Sequence, residues 1–316
     1  MTTSSPLVSV VIPAFNAQTY LADCLASVQA QWGEFGVEVF VVDDGSTDGT
    51  AGIAQRHPGV TLLRQPNRGP SAARNAGIEA AGGEFVAFLD ADDLWPEGKL
   101  AAQLAVLQRH PEAGLVFGDC QQFNAERRWP QTEFEAARLG GAAWGNEETV
   151  PDAYPRLLTN NFITTGSVVV RRNVLAGVGG FAEDLRLVED LDLWLRIALR
   201  HRIAWSSHLC LLRRRHAANT SCDAEAMGLA YLNVLGRQPS SDDLPRGMPN
   251  PELKLHAARE YMSLSELALG RGDMRTAWQR AWRGVATRGT LHGAWQLGRA
   301  SMMLLGSAVR SPGRKP

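Results

Sequence analysis

The sequence predicts an α/β fold: a mostly parallel sheet with helices on both faces, followed by a C-terminal α-helical region. Three observations carry this. Short β-branched runs alternate with segments of helical apolar spacing up to Gly118, and such alternation builds parallel sheets covered on both sides. Acidic clusters follow two of the runs, Asp43-Asp44-Gly45-Ser46 and Asp90-Ala91-Asp92-Asp93, at the strand edge where open α/β sheets bind ligands. A Pro-rich stretch at about 237–251 then reads as a linker, with helix-prone sequence beyond it.

The elements follow in order. Val8–Ile12, stopped by Pro13, is a buried strand. Ala17–Gln31 places Tyr20, Leu21, Cys24, Leu25 and Val28 at helical spacing. Val37–Val42 is a second strand, Thr47–Gln55 a helix, Val60–Leu63 a third strand. Ser71–Ala81 is a small-residue helix closed by Gly82-Gly83, and Phe85–Leu89 is a fourth strand. Leu100–Arg109 is a helix before Pro111, and Gly114–Gly118 a fifth strand. From Asp119 to Asn161, with Trp129, Trp144 and several prolines, a long and partly ordered excursion is expected, the usual place for substrate loops. Ser167–Val170 reads as a strand, Asp190–Arg200 as an amphipathic helix and Arg213–Ser221 as a polar loop. Leu253–Leu269, Met274–Ala286 and Leu291–Val309 are expected helices. The domains expected are 1–225 and a helical region 226–316.

The 316 residues, 45% hydrophobic and 21% charged, suit a soluble protein that buries a core without disulfides. Thirty-two basic against 33 acidic residues give a net charge of −1, which argues against nucleic acid as a partner. No apolar run reaches the roughly 18 residues of a membrane span, and Met1–Pro6 lacks the basic start of a signal peptide. Cys24, Cys120, Cys210 and Cys222 are scattered without metal spacing and read as reduced thiols, so a cytoplasmic location is expected. Charge is uneven: residues 271–316 hold nine basic residues against Asp273 alone, an asymmetry that suggests a surface partner.

Carboxylates at i and i+2 on an extended segment point the same way, so Asp90 and Asp92 suit a hard cation shared with a diphosphate. Taken alone, the motif is more often a helix cap, here before Trp95-Pro96-Glu97; its place at the end of a buried strand on the ligand edge favours the cation. Ser46 and Asp48 also read partly as caps, and Asp190 as an N-cap carboxylate.

Four motifs then stand in order: Val8 to Asn16; Val41-Val42-Asp43-Asp44-Gly45-Ser46-Thr47-Asp48; Asn67-Arg68-Gly69-Pro70-Ser71-Ala72-Ala73-Arg74-Asn75; and Phe88 to Asp93. As a set they resemble the family 2 nucleotide-sugar glycosyltransferases of GT-A (Rossmann-like) fold, over about residues 7 to 220. Val188 to Arg196, with Glu189-Asp190, resembles the family's Glu-Asp segment and its helix, and Arg214-Arg215-His216 with Asn219 and Ser221 resembles its basic loop.

The resemblance implies transfer of a sugar from a nucleoside diphosphate with inversion, a single in-line displacement needing a base and stabilisation of the leaving diphosphate. By the same resemblance Asp190 is the base and Glu189 orients it or meets acceptor. Asp92 holds a Mn²⁺ or Mg²⁺ ion with Asp90 as partner, and His216 completes the shell or touches diphosphate. Pro13, Ala14 and Phe15 line the nucleoside pocket, and Asp44 accepts a hydrogen bond from the nucleobase. Arg74, Ala91 and Arg214 are further donor-site residues. Ala217-Ala218 departs from the Gly that similar enzymes often carry after this His. The expected partners are a nucleoside-diphosphate sugar, UDP-linked by default, and a glycan or lipid-linked acceptor in cell-envelope or exopolysaccharide assembly. For the basic C-terminal region two readings stay open: helices that pack Trp278, Trp282 and Trp295 on the catalytic domain, the commoner use of an apolar stripe, or peripheral contact with an anionic membrane.

Two other classes compete. A nucleotidyltransferase would carry a Gly-rich basic loop where Pro13-Ala14-Phe15-Asn16 stands. A non-catalytic nucleotide-sugar-binding module would lose a carboxylate from Asp90, Asp92 or Asp190, and all three are present.

Overall fold

The computed structural model describes residues 7–31, 33–216, 223–240, 243–244 and 252–288. The expected helix over Leu291–Val309, the residues Ala217, Ala218, Asn219, Ser221 and Cys222, and most of the linker lie outside the described residues. The strands are β1 (Leu7–Ala14), β2 (Gly36–Asp43), β3 (Val60–Arg64), β4 (Phe85–Phe88), β5 (Ala113–Phe123), β6 (Val169–Arg171) and β7 (Arg202–Arg214). The helices are α1 (Leu21–Gln29), α2 (Thr50–Arg56), α3 (Pro70–Ala80), α4 (Lys99–Arg109), α5 (Glu133–Ala137), α6 (Ala153–Thr159), α7 (Arg172–Val178), α8 (Glu189–Ala198), α9 (Ala224–Gly236), α10 (Leu253–Gly270) and α11 (Met274–Arg288).

One sheet takes the order β3-β2-β1-β4-β6-β5-β7. Its pairs are parallel except those of β6, which runs antiparallel to both β4 and β5. Alternation along β1 explains the two layers. Val8, Val10 and Ile12 face a core shared with Leu21, Cys24, Leu25 and Val28 of α1 and Leu100, Val106 and Leu107 of α4. Val11 points the other way onto α3, where a Cβ at Gly77 would stand 2.3 Å from its side chain. Each fully buried aliphatic side chain contributes about 1.5–3 kcal/mol, so the four inward positions of α1 suffice to hold that helix on the sheet. Pro70 at the first turn of α3 follows Gly69 at φ 93°, the usual proline-started helix.

Two expectations need correction. β7 is a thirteen-residue strand reaching Arg214, so the polar loop expected from Arg213 begins later than read. β7 pairs in parallel with β5 through register shifts at Gly118 and Asp119, and a Cβ on Gly118 would meet Cys210 Sγ at 2.2 Å. The excursion from Asp119 is also better ordered than expected. Trp144 is 1% exposed, and its ring meets those of Phe117, Phe134, Phe162 and Trp205. These aromatics form a satellite core under the segment, so it does not hang from the sheet as a free loop.

The chain divides into two units, Met1–Asn219 and Thr220–Pro316. In the second, α10 packs along α11: Ser265 Oγ donates to Ala277 O at 2.8 Å, Arg280 donates to Leu264 O at 3.1 Å, and Glu225 of α9 accepts from Arg280.

Candidate active site

The turn after β4 is the first wall. Asp93 N–H donates to Asp90 O at 3.0 Å, so Asp90-Ala91-Asp92-Asp93 is a tight turn and not the extended segment expected. Its carboxylates part company accordingly. Asp90 Oδ1 accepts from Arg74 Nη2 at 2.8 Å, whereas Asp92 Oδ2 pairs with His216 Nε2 at 2.9 Å. Ala91 is buried. Asp93 turns inward and accepts from Arg214 N–H at 2.7 Å. Burial, then the adjacent Asp92 and Asp90 charges, push its carboxyl well above the usual carboxylate range.

The end of β7 is the second wall. Leu94 and Leu212 form an antiparallel bridge, which lays the strand across the turn. Arg214 lies between two rings, 4.8 Å from Tyr20 and 4.6 Å from Phe123, and its Nε donates to Asp92 O at 2.8 Å. It thus pins the turn's backbone, a use that the expected donor contact did not anticipate. His216 stacks on Tyr20 with ring centroids 5.1 Å apart. Tyr20 read in the sequence as a core position of α1; its role as a platform for Arg214 and His216 comes from β7, whose course the sequence reading did not trace.

The ends of β1 and β2 supply the third wall. Pro13 is half-buried, Ala14 is buried with its carbonyl accepting from Asp44 N–H at 2.9 Å, and Phe15 is 52% exposed. An exposed ring at the carboxyl edge of a central strand is a surface for a flat ligand. Asp44 is buried and accepts from Gln65 Nε2 at 2.7 Å, Arg68 N at 2.9 Å and Gly69 N at 2.8 Å. It therefore anchors the 65–69 segment, leaving at most one of a carboxylate's roughly four acceptor positions. Gly45, at φ 79°, has no room for a Cβ, which would stand 2.8 Å from Asn67 N. Asp48 does act as a cap, accepting from Thr50 N at 3.0 Å.

The N-terminus of α8 is the fourth wall. Val188 precedes it at φ 62°, ψ 18°, a left-handed conformation that a β-branched residue adopts at a cost of about 1–3 kcal/mol. The strain sits one residue before Glu189-Asp190 and sets their direction. Arg74, 5% exposed, joins Glu189 Oε1 to the Asp90 turn, 2.8 Å to each, with its guanidinium 5.2 Å from the Phe181 ring. Arg74 thus touches the two carboxylates and lies inside the frame. Asp190 accepts from Asn161 Nδ2 at 3.3 Å, from Thr165 Oγ1 at 3.4 Å and from Leu191 N–H at 2.7 Å. Desolvation, followed by the Glu189 charge, lifts its carboxyl to about 6. The loop from Asn160 to Gly166 reads in the sequence as one that selects the donor, and the contact of Asn161 and Thr165 with Asp190 is not foreseen there; polar residues in a loop carry no sign of the partner they meet.

Among the described residues, no three His, Cys, Asp or Glu side chains are gathered to hold a metal ion. Asp90 and Asp92, 38% and 28% exposed at their side chains, and the His216 imidazole nevertheless suit a cation that keeps most of its shell for phosphate oxygens and water.

Similarity to known proteins follows this geometry. The model of the family "Glycosyl transferase family 2" matches residues 9–177, more than half of the chain. TuaG of Bacillus subtilis, a glycosyltransferase named for teichuronic acid biosynthesis, is 30% identical over 231 residues, covering 70% of this chain and 83% of TuaG. An uncharacterized glycosyltransferase of Rickettsia felis is 28% identical over 233 residues, 72% of this chain but 36% of its own, so the chain spans about a third of that relative's length. Among solved structures, Staphylococcus aureus TarS 1-349 in complex with UDP-GlcNAc superposes with a TM-score of 0.59 at 21% identity, covering 93% of this chain and 79% of TarS 1-349. The mannosyltransferase PcManGT of Pyrobaculum calidifontis, in complex with GDP-Man and Mn²⁺, gives 0.60 at 22% identity, covering 98% and 83%. These likenesses establish the GT-A fold. With the family's motifs, the matching sheet and the similarity to TuaG in agreement, the chain belongs to glycosyl transferase family 2.

Proposed function

We propose that the protein is a metal-dependent, inverting glycosyltransferase that moves a sugar from a nucleoside-diphosphate sugar, UDP-linked by default, to a hydroxyl acceptor. The observation that carries this reading is the Arg74 bridge: one buried guanidinium ties the Asp90 turn to Glu189, next to the Asp190 carboxylate. Donor-facing and acceptor-facing carboxylates thus belong to one rigid frame at the ligand edge of the sheet.

The chemistry follows from these groups. Asp190, ionised above about pH 6, takes the proton of the acceptor hydroxyl. The hydroxyl oxygen attacks the anomeric carbon as the bond from that carbon to the diphosphate oxygen breaks, and the electron pair leaves with the nucleoside diphosphate. Attack from the face opposite the leaving group inverts the centre. Glu189, held by Arg74, keeps a fixed negative charge beside the base and sustains its basicity. Phe15 receives the nucleobase or ribose, with Pro13 and Ala14 beneath and Asp44 bracing the neighbouring loop. Asp92 and His216, with Asp90, would hold Mn²⁺ or Mg²⁺, which when bound neutralises the leaving diphosphate.

Catalysis is assigned to residues 1–225 and an accessory role to the helices of 226–316. The teichuronic acid biosynthesis in the name of TuaG supports a role in polysaccharide assembly; the cell envelope as its place, and a glycan or lipid-linked acceptor, are part of the proposal. No described helix is long and apolar enough to cross a membrane. Trp278 and Trp282 of α11 are 38% and 54% exposed, which favours peripheral contact with the cytoplasmic membrane face. The intact Asp90, Asp92 and Asp190 set, with a base whose pKa is lifted, favours an enzyme over a binding module. A thermal-shift screen of UDP-, GDP- and dTDP-sugars with Mn²⁺, followed by assay of nucleoside-diphosphate release, tests the proposal. Stabilisation by one donor class is expected, with slow Mn²⁺-dependent release as water takes the sugar in place of the acceptor hydroxyl; stabilisation by no nucleotide sugar would overturn the reading.

A further inference from the structure

Three successive backbone carbonyls, those of Gly166, Ser167 and Val168, each accept a hydrogen bond from a buried side chain of one segment. Trp95 Nε1 donates to Gly166 O at 2.8 Å, Gln103 Nε2 to Ser167 O at 2.8 Å, and Lys99 Nζ to Val168 O at 3.3 Å. The donors stand four residues apart, so Lys99 and Gln103 share one face of α4, and Lys99 Nζ lies 3.8 Å from the Trp95 ring centroid. Trp95 is 3% exposed, and Lys99 and Gln103 are wholly buried. Buried polar groups of this size are costly unless they are paired. None of the three reaches the nucleotide edge, so the proposed chemistry gives them no task.

The segment they hold is the one that meets the base. Thr165 Oγ1 donates to Asp190 Oδ2, the turn is closed by Ser167 Oγ on Thr164 O at 2.8 Å, and Ile163 O accepts from Trp194 of α8 at 3.2 Å. Gly166 lets the turn lie against β7, since a Cβ there would stand 2.7 Å from Leu211 Cδ1. The segment is therefore clamped between the catalytic helix on one side and the buried donors on the other.

We infer that Trp95, Lys99 and Gln103 are positioning residues for the transfer reaction, holding 166–168 so that the Thr165 hydroxyl stays on the Asp190 carboxylate. The inference rests on Asp190 being the base. Loss of a donor to a carboxylate disfavours its ionised form. The charged groups about Asp190 are Glu189 and Arg74, and the substitutions below leave both in place.

The experiment compares Trp95→Phe, Gln103→Leu, Thr165→Val and the double variants of each with Thr165→Val. UDP release from a panel of UDP-sugars with Mn²⁺, water taking the sugar in place of the acceptor hydroxyl, is followed against pH, and UDP affinity is measured by calorimetry. Trp95→Phe and Gln103→Leu should each lower kcat by about three- to tenfold, the equivalent of one hydrogen bond. The acidic limb of kcat/KM should move upward, with UDP affinity held within about twofold. Thr165→Val should do the same, Thr165→Ser should restore the limb, and the doubles should be no worse than Thr165→Val alone. An unchanged limb with only a lower Tm would make the cluster structural, as would full additivity in the doubles. If Trp95→Phe fails to fold, Gln103→Leu and the Thr165 pair decide the matter. Turnover retained by Asp190→Asn would instead overturn the assignment of the base, a separate failure.

Discussion

Asp90 and Glu189 accept hydrogen bonds from the same guanidinium, each 2.8 Å from a different nitrogen of Arg74. One carboxylate stands at the turn after β4, the other at the start of α8. The arginine shares its single positive charge between the two and also draws Asp190 downward in pKa against desolvation. Arg74→Met should therefore act twice. It leaves Glu189 beside the base without its cation, so the acidic limb of kcat/KM moves to higher pH. It also breaks a buried pair, normally worth 3–5 kcal/mol; with Asp90 38% exposed, water reduces the loss to about 2 kcal/mol. Arg74→Lys should recover little, because an ammonium cannot span two carboxylates as the planar fork does. A pH-rate profile unmoved in both variants would remove Arg74 from the frame.

Asp190→Asn separates chemistry from binding. The amide keeps the shape and cannot take a proton, so transfer should fall at least about a hundredfold while UDP affinity stays near wild type. The folded-state carboxyl lies at about 6, above its ordinary 3.8. Its ionised form is thus disfavoured by folding, and that cost grows as pH rises from the lower value through the upper one. The neutral amide escapes it, so the variant should be more stable at neutral pH by on the order of 2 kcal/mol, a trade of stability for function. Turnover above about half of wild type would show that another group is the base.

Asp92→Ala should weaken Mn²⁺-dependent UDP binding, measured by calorimetry with and without the ion. Asp92 is one of the few protein ligands that such a cation would keep beside phosphates. His216→Ala should weaken it less, since the imidazole offers the ion a single nitrogen. Equal UDP affinities in wild type and Asp92→Ala at saturating Mn²⁺ would take Asp92 out of the metal site.

The parts legible in the sequence were those whose physics is local. Val8–Ile12 and Val37–Val42 read as strands because they are apolar runs bounded by turn residues, and the acids behind them read as a ligand edge because strand ends point there. The Asp90 turn read as extended because i, i+2 spacing says nothing of a hydrogen bond from Asp93 N–H back to Asp90 O. β7 escaped because Ser206-Ser207-His208 interrupts its apolar runs and its pairing with β5 carries register shifts. With β7 untraced, the Tyr20–Arg214–Phe123 stack could not be foreseen. The partners of Asp190 were hidden for the same reason: Asn161 and Thr165 come from a loop some thirty residues away whose position only the fold decides.

Membrane contact predicts co-sedimentation with anionic vesicles. Trp278 and Trp282 are four residues apart on α11, with Arg275 and Arg283 on the same helix. Binding that falls as salt rises and weakens in a Trp278→Ala/Trp282→Ala variant is the expected outcome. Protein that stays in the supernatant at low salt would leave the two tryptophans with a packing role.

Lys99 offers a test of the buried cluster through stability alone. Burial lowers its ammonium from 10.5 to about 7, outweighing the opposite effect of Cys210. The folded state thus releases a proton that the unfolded chain keeps, so between these values the unfolded state binds more protons and stability rises with pH. The penalty is full below about pH 7 and vanishes as the ordinary lysine pKa is passed. Lys99→Met keeps the volume and the contact with Trp95 but carries no charge to desolvate. It forfeits one hydrogen bond to Val168 O, worth about 1 kcal/mol, against a desolvation cost on the order of 4 kcal/mol. The variant should therefore be more stable than wild type at about pH 6, by an amount that shrinks steadily toward about pH 10. Urea denaturation of the two proteins across that range measures the difference directly. A stability difference independent of pH would mean that Lys99 keeps its charge in the fold, with solvation that its burial between α4 and Val168 does not provide.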